Sequence, residues 1–150
     1  MKIVVISIAN PILVGIYDND ILIDTIKRDG KTSDVLPDIF KELQEKSNIS
    51  IDTIIYVNGP GSYMAIKVAY IFLKTFCIVK NIEFKAIDGF SVNNNSPIKA
   101  LGKKYFFQKN DEVIIDFLGD YKLEDFKLPN DISMIKLNDK TLPNYHLPFV

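Results

Sequence analysis

From Met1 to Ile87 three short β-rich apolar segments are followed by an alternation of helical and extended spacing. That succession leaves few topologies open. Met1–Ile8 (MKIVVISI) is a β-rich apolar run closed by the Ala9-Asn10-Pro11 turn. Ile12–Tyr17 reads as a second strand and Ile21–Ile26 as a third, with Asp18-Asn19-Asp20 between them as a hairpin turn chemically suited to positive φ. Three short strands joined by tight turns predict an antiparallel meander. In Ser33–Lys46, Leu36, Ile39, Phe40 and Leu43 fall at i, i+3, i+4 and i+7, the single apolar stripe of an amphipathic helix. Thr32 or Ser33 can cap its start, Pro37 lies close enough to the first turn to be tolerated, and Ser47-Asn48 ends it. Thr53–Val57 is the fourth strand, Ser62 to about Lys80 a long apolar helix, and Ile82–Ile87 the fifth strand.

The order βββαβαβ, with helices crossing between the later strands, describes an α/β domain of ribonuclease H-like architecture. We place this domain at residues 1–92. The remainder, 93–150, reads as a reduced, β-rich second lobe that leans on the first, because so short a segment cannot enclose a sizeable core of its own. Asn93-Asn94-Asn95-Ser96-Pro97 is a linker with turn chemistry throughout. Lys99–Gln108 and Glu112–Leu118 are expected as strands around a Lys109-Asn110-Asp111 turn, and Ile132–Leu137 as a further strand before a Pro-rich tail.

Composition narrows the class of function. A formal net charge of −1 gives no global basic field for nucleic acid. The single cysteine, Cys77, excludes an intramolecular disulfide framework and fits a reduced cytoplasm. The longest apolar run, Tyr63–Val79, carries Lys67 and Lys74 and reads as a buried helix, not a membrane span.

The stretch from Val57 to Lys80 is the most informative chemically. A strand passing through Asn58-Gly59-Pro60-Gly61-Ser62 into a helix allows close backbone approach and presents free N–H groups, which suit an anion; it is equally a plain tight turn with Ser62 as N-cap. Within the helix, Ala65, Ala69, Phe72 and Phe76 form one stripe that suits the sheet. Ile66, Tyr70, Leu73 and Cys77 form a second about 100° away, which needs burial by the first helix, by the carboxy-terminal segment or by another chain.

Asn58 to Ala69 resembles the motif G-P-G-S-F-T-G-L-R-I-G of the TsaB (YeaZ) family. The flanking pieces agree in order: Ser33 to Ile39 is similar to H-S-E-x-L-L-P-x-I, Ser50 to Ile54 to L-S-D-L-D-A-I, and Lys103 to Phe106 to R-x-G-E-V-Y. The resemblance implies the superfold of actin, Hsp70 and sugar kinases without their chemistry. It also implies a non-catalytic scaffold subunit that binds and activates TsaD, the subunit that transfers threonylcarbamoyl to adenosine in tRNA, with a TsaE ATPase nearby and tRNA contacted only indirectly. Pairing through the first-domain helices would use Leu36, Ile39, Phe40, Leu43, Tyr63, Ile66, Lys67, Tyr70, Leu73 and Lys74, with Gly59, Pro60, Gly61 and Ser62 as the motif turn.

Departures from the family pattern bear on chemistry. Ile6-Ser7-Ile8-Ala9 stands where the family reads I-D-T-S, so the carboxylate that related ATPases place near Mg²⁺ and phosphate is missing. We therefore expect no cofactor, no metal and no catalytic residue. His146 is the only histidine and cannot supply a histidine pair for metal. Asp111, Glu112, Asp116 and Asp120 flank an apolar run as turn and strand-edge charges, and Lys103 and Lys104 read as a solvated strand end. Two other readings stand beside the scaffold: a small phosphotransferase or peptidase-like enzyme of the same superfold, and a module that pairs with a second copy of itself.

Overall fold

The computed structural model describes residues 1–146; the last four residues of the expected 93–150 segment lie outside the described residues. The first 87 residues give β1 (Lys2–Ile6), β2 (Ile12–Asp18), β3 (Ile21–Arg28), α1 (Thr32–Glu45), β4 (Thr53–Val57), α2 (Tyr63–Lys80) and β5 (Glu83–Ile87). They form a five-stranded mixed sheet in the order β3-β2-β1-β4-β5, in which β2 is antiparallel to both neighbours and β1, β4 and β5 are parallel. The β2–β3 turn has positive φ at Asn19 (50°) and Asp20 (65°), the geometry that matches strand twist.

Alternation along the strands divides the sheet into two apolar faces. Ile3, Val5, Val14, Ile16, Ile54 and Tyr56 join the buried side chains of α1 and α2. Val4, Ile6, Tyr17, Ile55, Val57 and Ile87 lie on the other face, under Leu128, Ile132, Ile135, Leu137 and Tyr145 of the carboxy-terminal segment. A 3-10 helix, Gly89–Val92, leads into a second sheet of β6 (Ile98–Lys99), β7 (Lys104–Lys109) and β8 (Glu112–Phe117). It is anchored through Phe90, Ile98 and Phe106, with Phe126 packed against them.

Beyond β8 the chain is an extended strap. Leu22 N–H donates to the Asn130 carbonyl and Ile132 N–H to that of Asp20, tying the strap to the β3 edge. Ala86 and Asn138 exchange two backbone bonds of 2.9 and 2.8 Å at the β5 edge. Two tyrosine hydroxyls rise from the sheet to hold it, Tyr17 to the Pro129 carbonyl at 2.6 Å and Tyr56 to that of Thr141.

Three local expectations are corrected. Residues 132–137 form no strand: they pass from one sheet edge to the other, and a chain crossing strands cannot pair with them. The segment 99–108 is broken at Leu101 to Lys103, where Gly102 takes a positive φ. Finally, α1 is capped by neither Thr32 nor Ser33. Both already lie at its start, and Lys31 holds the N-cap position with no side-chain cap bond.

The buried tyrosines predict an alkaline limit. Burial raises the Tyr17 hydroxyl to about 12 and also raises Tyr56, with Tyr70 and Tyr145 adding to the second effect. An unfolded tyrosine ionises near pH 10, so both native values lie above the unfolded one. The resulting stability is complete below about pH 10 and is lost as pH climbs toward the native values. Tyrosinate absorbance and circular dichroism should therefore change together for these two residues; ionisation of both in a still-folded chain would contradict their burial.

Candidate partner-binding face

The motif turn sits at the carboxyl end of β4. Gly59 has φ +132°, and a Cβ there would stand 2.0 Å from the carbonyl oxygen of Asn144. Only glycine meets both conditions. The turn is stitched to its surroundings by Gly89 N–H to the Gly59 carbonyl (3.0 Å), Asn144 N–H to the Asn58 carbonyl (2.8 Å) and Asn58 Nδ2 to the Leu142 carbonyl (3.2 Å). Gly59 and Pro60 are buried, Gly61 half-buried and Ser62 exposed. Ser62 Oγ accepts from Ala65 N–H at 3.5 Å, the cap expected of it.

At this turn the strap also places Tyr145 against Tyr63, ring centroids 4.6 Å apart, with the Lys67 ammonium 5.8 Å from the Tyr63 centroid. Burial raises the Asp88 carboxyl and lowers the His146 imidazole. Among the described residues no group of three or more His, Cys, Asp or Glu side chains could hold a metal ion. Burial pushes the Cys77 thiol up to about 11, which leaves it in the unreactive neutral form at neutral pH.

The helix residues divide sharply. Leu36, Ile39, Phe40, Leu43, Ile66 and Leu73 are at most 1% exposed, enclosed in the protein's own core, and so offer no surface to a second chain. Their periodicity marked core instead of interface. Tyr70 is half-buried beside Tyr56 and Phe84, and Lys74 stands 6.0 Å from the Phe84 centroid. Tyr63 and Lys67 are exposed at the first turns of α2.

The two stripes of α2 also exchange roles. Ile66, Leu73 and Cys77, with Ala69, are the buried side, while Phe72 and Phe76 turn toward α1 and meet the Phe40 ring edge-on at 5.7 and 5.1 Å. A third stripe of α2 is formed by the apolar Met64, Val68, Ile71, Ile78 and Val79, with Thr75 among them. Met64, Ile71, Ile78 and Val79 are 61%, 54%, 69% and 72% exposed. The signal was present in the sequence as spacings of three and four from Met64 to Val79. Lys67 and Lys74 share one side of α2, and this apolar stripe on another side is left uncovered.

Val68, Ile71, Thr75 and Val79 of this stripe, with Phe72, Phe76 and Lys80, form one wall of a groove of about 580 Å³ between the helices, and Thr32, Ser33 and Pro37 of α1 form the other. Pro37, inside α1, carries no N–H for the Ser33 carbonyl on this side. No helix among the described residues is long and apolar enough to cross a membrane.

No protein-family model matches the chain. No curated protein matches it. Solved structures do. YeaZ from Pseudomonas aeruginosa superposes with a TM-score of 0.61 at 10% identity over 82% of this chain. A protein described as uncharacterized, with similarity to peptidase YeaZ from Pseudomonas aeruginosa, superposes with a TM-score of 0.60 at 10% identity over 77%. The match spans 66% and 62% of those two structures, so this chain covers less than two thirds of their length. The mixed α/β fold, with its five-stranded sheet and two helices, is that of a YeaZ (TsaB)-like protein.

Proposed function

We propose that this chain is a TsaB-type, non-catalytic subunit of ribonuclease H-like architecture, which binds TsaD through the α1–α2 face during threonylcarbamoyl-adenosine modification of tRNA in the cytoplasm. One observation carries the reading: the apolar groove between α1 and α2, with Met64, Ile71, Ile78 and Val79 open to solvent beside it. Apolar side chains clustered on one helix face gain free energy when a partner removes them from water, at roughly 25 cal/mol per Å². The subunit acts by differential binding: it favours the conformation of TsaD whose surface fits the groove. A TsaE-type ATPase and tRNA then engage the assembly and not the groove itself.

The test is size-exclusion chromatography with light scattering on the chain mixed with TsaD. The wild type is expected to form a one-to-one complex. Ile71→Asp and Val79→Asp place a carboxylate in the apolar contact and should weaken association by about 100-fold or more, with the melting temperature unchanged because both side chains are exposed. A chain that ignores TsaD but forms a dimer dissociated by the same substitutions assigns the face to a second copy. A monomer that ignores TsaD removes the scaffold reading.

A further inference from the structure

Asn93 follows the 3-10 helix directly and is 2% exposed. Its Nδ2 donates to the Ser96 carbonyl at 2.9 Å. Its Oδ1 is buried without a hydrogen-bond partner, and no other side-chain polar atom among the described residues is left in that state. A buried acceptor is ordinarily paired, because leaving it unpaired forfeits the bond it makes in water. This oxygen calls for a donor that the chain does not supply.

The two ends of the amide serve different spaces. Asn93 lines a cleft of about 620 Å³ between the end of the 3-10 helix and the start of the strap, and Ser96 does not. The oxygen and nitrogen of a planar carboxamide diverge, so with Nδ2 turned to Ser96 the unpaired Oδ1 turns to the cleft. Two bonds fix the facing wall: Lys127 N–H to the Val92 carbonyl at 2.8 Å, and Glu124 N–H to Ser96 Oγ at 2.9 Å. The backbone there is held while the charged ends of Glu124, Asp125 and Lys127 stay exposed. None of the three takes part in an ion pair among the described residues.

The lining selects the chemistry of its ligand. Asn93 Oδ1 and the two carboxylates accept hydrogen bonds, and the Lys127 ammonium only donates them. A protonated amine suits the three acceptors, and a carboxylate on the same molecule suits the lysine. Asp125 and Lys127 are two residues apart on an extended chain, a spacing of roughly 6.5 Å. The ligand's two charges are therefore separated by several bonds. Val92, Leu123 and Pro129 give the cleft an apolar surface for the carbon chain between them.

We propose that this cleft binds a small zwitterion, an organic ammonium joined to a carboxylate by a short aliphatic chain. The ammonium donates to Asn93 Oδ1, Glu124 and Asp125, and the carboxylate accepts from Lys127 Nζ. No lining residue belongs to α1 or α2, so the site does not depend on what occupies the groove between those helices.

Chemical shifts of the full chain during titration with 4-aminobutyrate, at neutral pH and constant ionic strength, test it. The backbone amides of Ser91, Asn94 and Asp125 and the side-chain amide of Asn93 should move together and saturate with one dissociation constant. Glu124→Gln and Lys127→Met should each weaken binding about tenfold, the loss of one hydrogen bond to a charged group. Both side chains are exposed, so the remaining spectrum should report an intact fold. Butylamine and butyrate, which carry one charge each, should bind at least tenfold more weakly. Shifts that never saturate, an Asn93 side-chain amide that stays still while its neighbours move, or equal binding by both variants overturn the site. Butylamine binding as tightly as 4-aminobutyrate, or calcium chloride saturating the same amides where the amine does not, overturns the assignment to a zwitterion.

Discussion

A chain truncated after Asp120 should fail to fold cooperatively. The strap it loses covers the second face of the sheet, where Val4, Ile6, Tyr17, Ile55, Val57 and Ile87 are all at most 2% exposed. Burial of such side chains contributes about 1.5–3 kcal/mol each. Stripping six of them removes roughly 9–18 kcal/mol, as much as the entire net stability of about 5–15 kcal/mol of a typical domain. Truncation would also cut the Tyr17 and Tyr56 hydroxyls from their acceptors and free both edges of the sheet, at Leu22 and at Ala86. Urea denaturation followed by far-ultraviolet circular dichroism reads the result: the full chain is expected to give one sigmoidal transition, the truncated chain a gradual drift. A sigmoidal transition in the truncated chain with a midpoint near that of the full chain would mean that the strap merely rests on the sheet.

The strap is also where the sequence was least legible, and the reason is physical. Periodicity reports the pleat of a strand or the turn of a helix, whereas residues 121–146 take their shape from what they cover. Ile132, Ile135 and Leu137 are spaced by contact with the sheet face, and that spacing mimicked a strand. The first 87 residues were legible because each element carries its own evidence. β4 occupies Thr53–Val57 as expected, the Asn19-Asp20 turn shows the φ values its chemistry suggests, and Ser62 caps α2. The binding face was only half legible. Leu36, Ile39, Phe40 and Leu43 share one stripe of α1, but an amphipathic stripe in a small domain is claimed first by the domain's own core. The exposed stripe of α2 is less legible because only Lys67 and Lys74 mark a polar side: apolar residues occupy the rest of that helix, and packing decides which of them remain uncovered.

Phe40 links stability to the binding face, and Phe40→Ala should expose that link. The ring is 1% exposed and is the only α1 side chain that meets both Phe72 and Phe76 edge-on, at 5.7 and 5.1 Å. Truncating a buried phenylalanine costs about 3–5 kcal/mol, and two edge-to-face pairs of roughly 0.5–1.5 kcal/mol each lie within that cost. The midpoint of urea denaturation should fall accordingly, with an unchanged slope if the transition remains two-state. Phe72 and Phe76 also line the groove, and Phe40 supports both rings from the α1 side. A partner that recognises the groove should therefore bind Phe40→Ala more weakly even at temperatures where the variant is fully folded. Ile71→Asp should show the opposite pattern, with association lost and stability kept. If Phe40→Ala lowers stability by less than about 1 kcal/mol, well under the usual cost of a core phenylalanine, the aromatic seam does not hold α1 in place. If it lowers stability fully and leaves association untouched, the partner reads only the exposed stripe of Met64, Ile71, Ile78 and Val79, and the α1 wall of the groove plays no part in recognition.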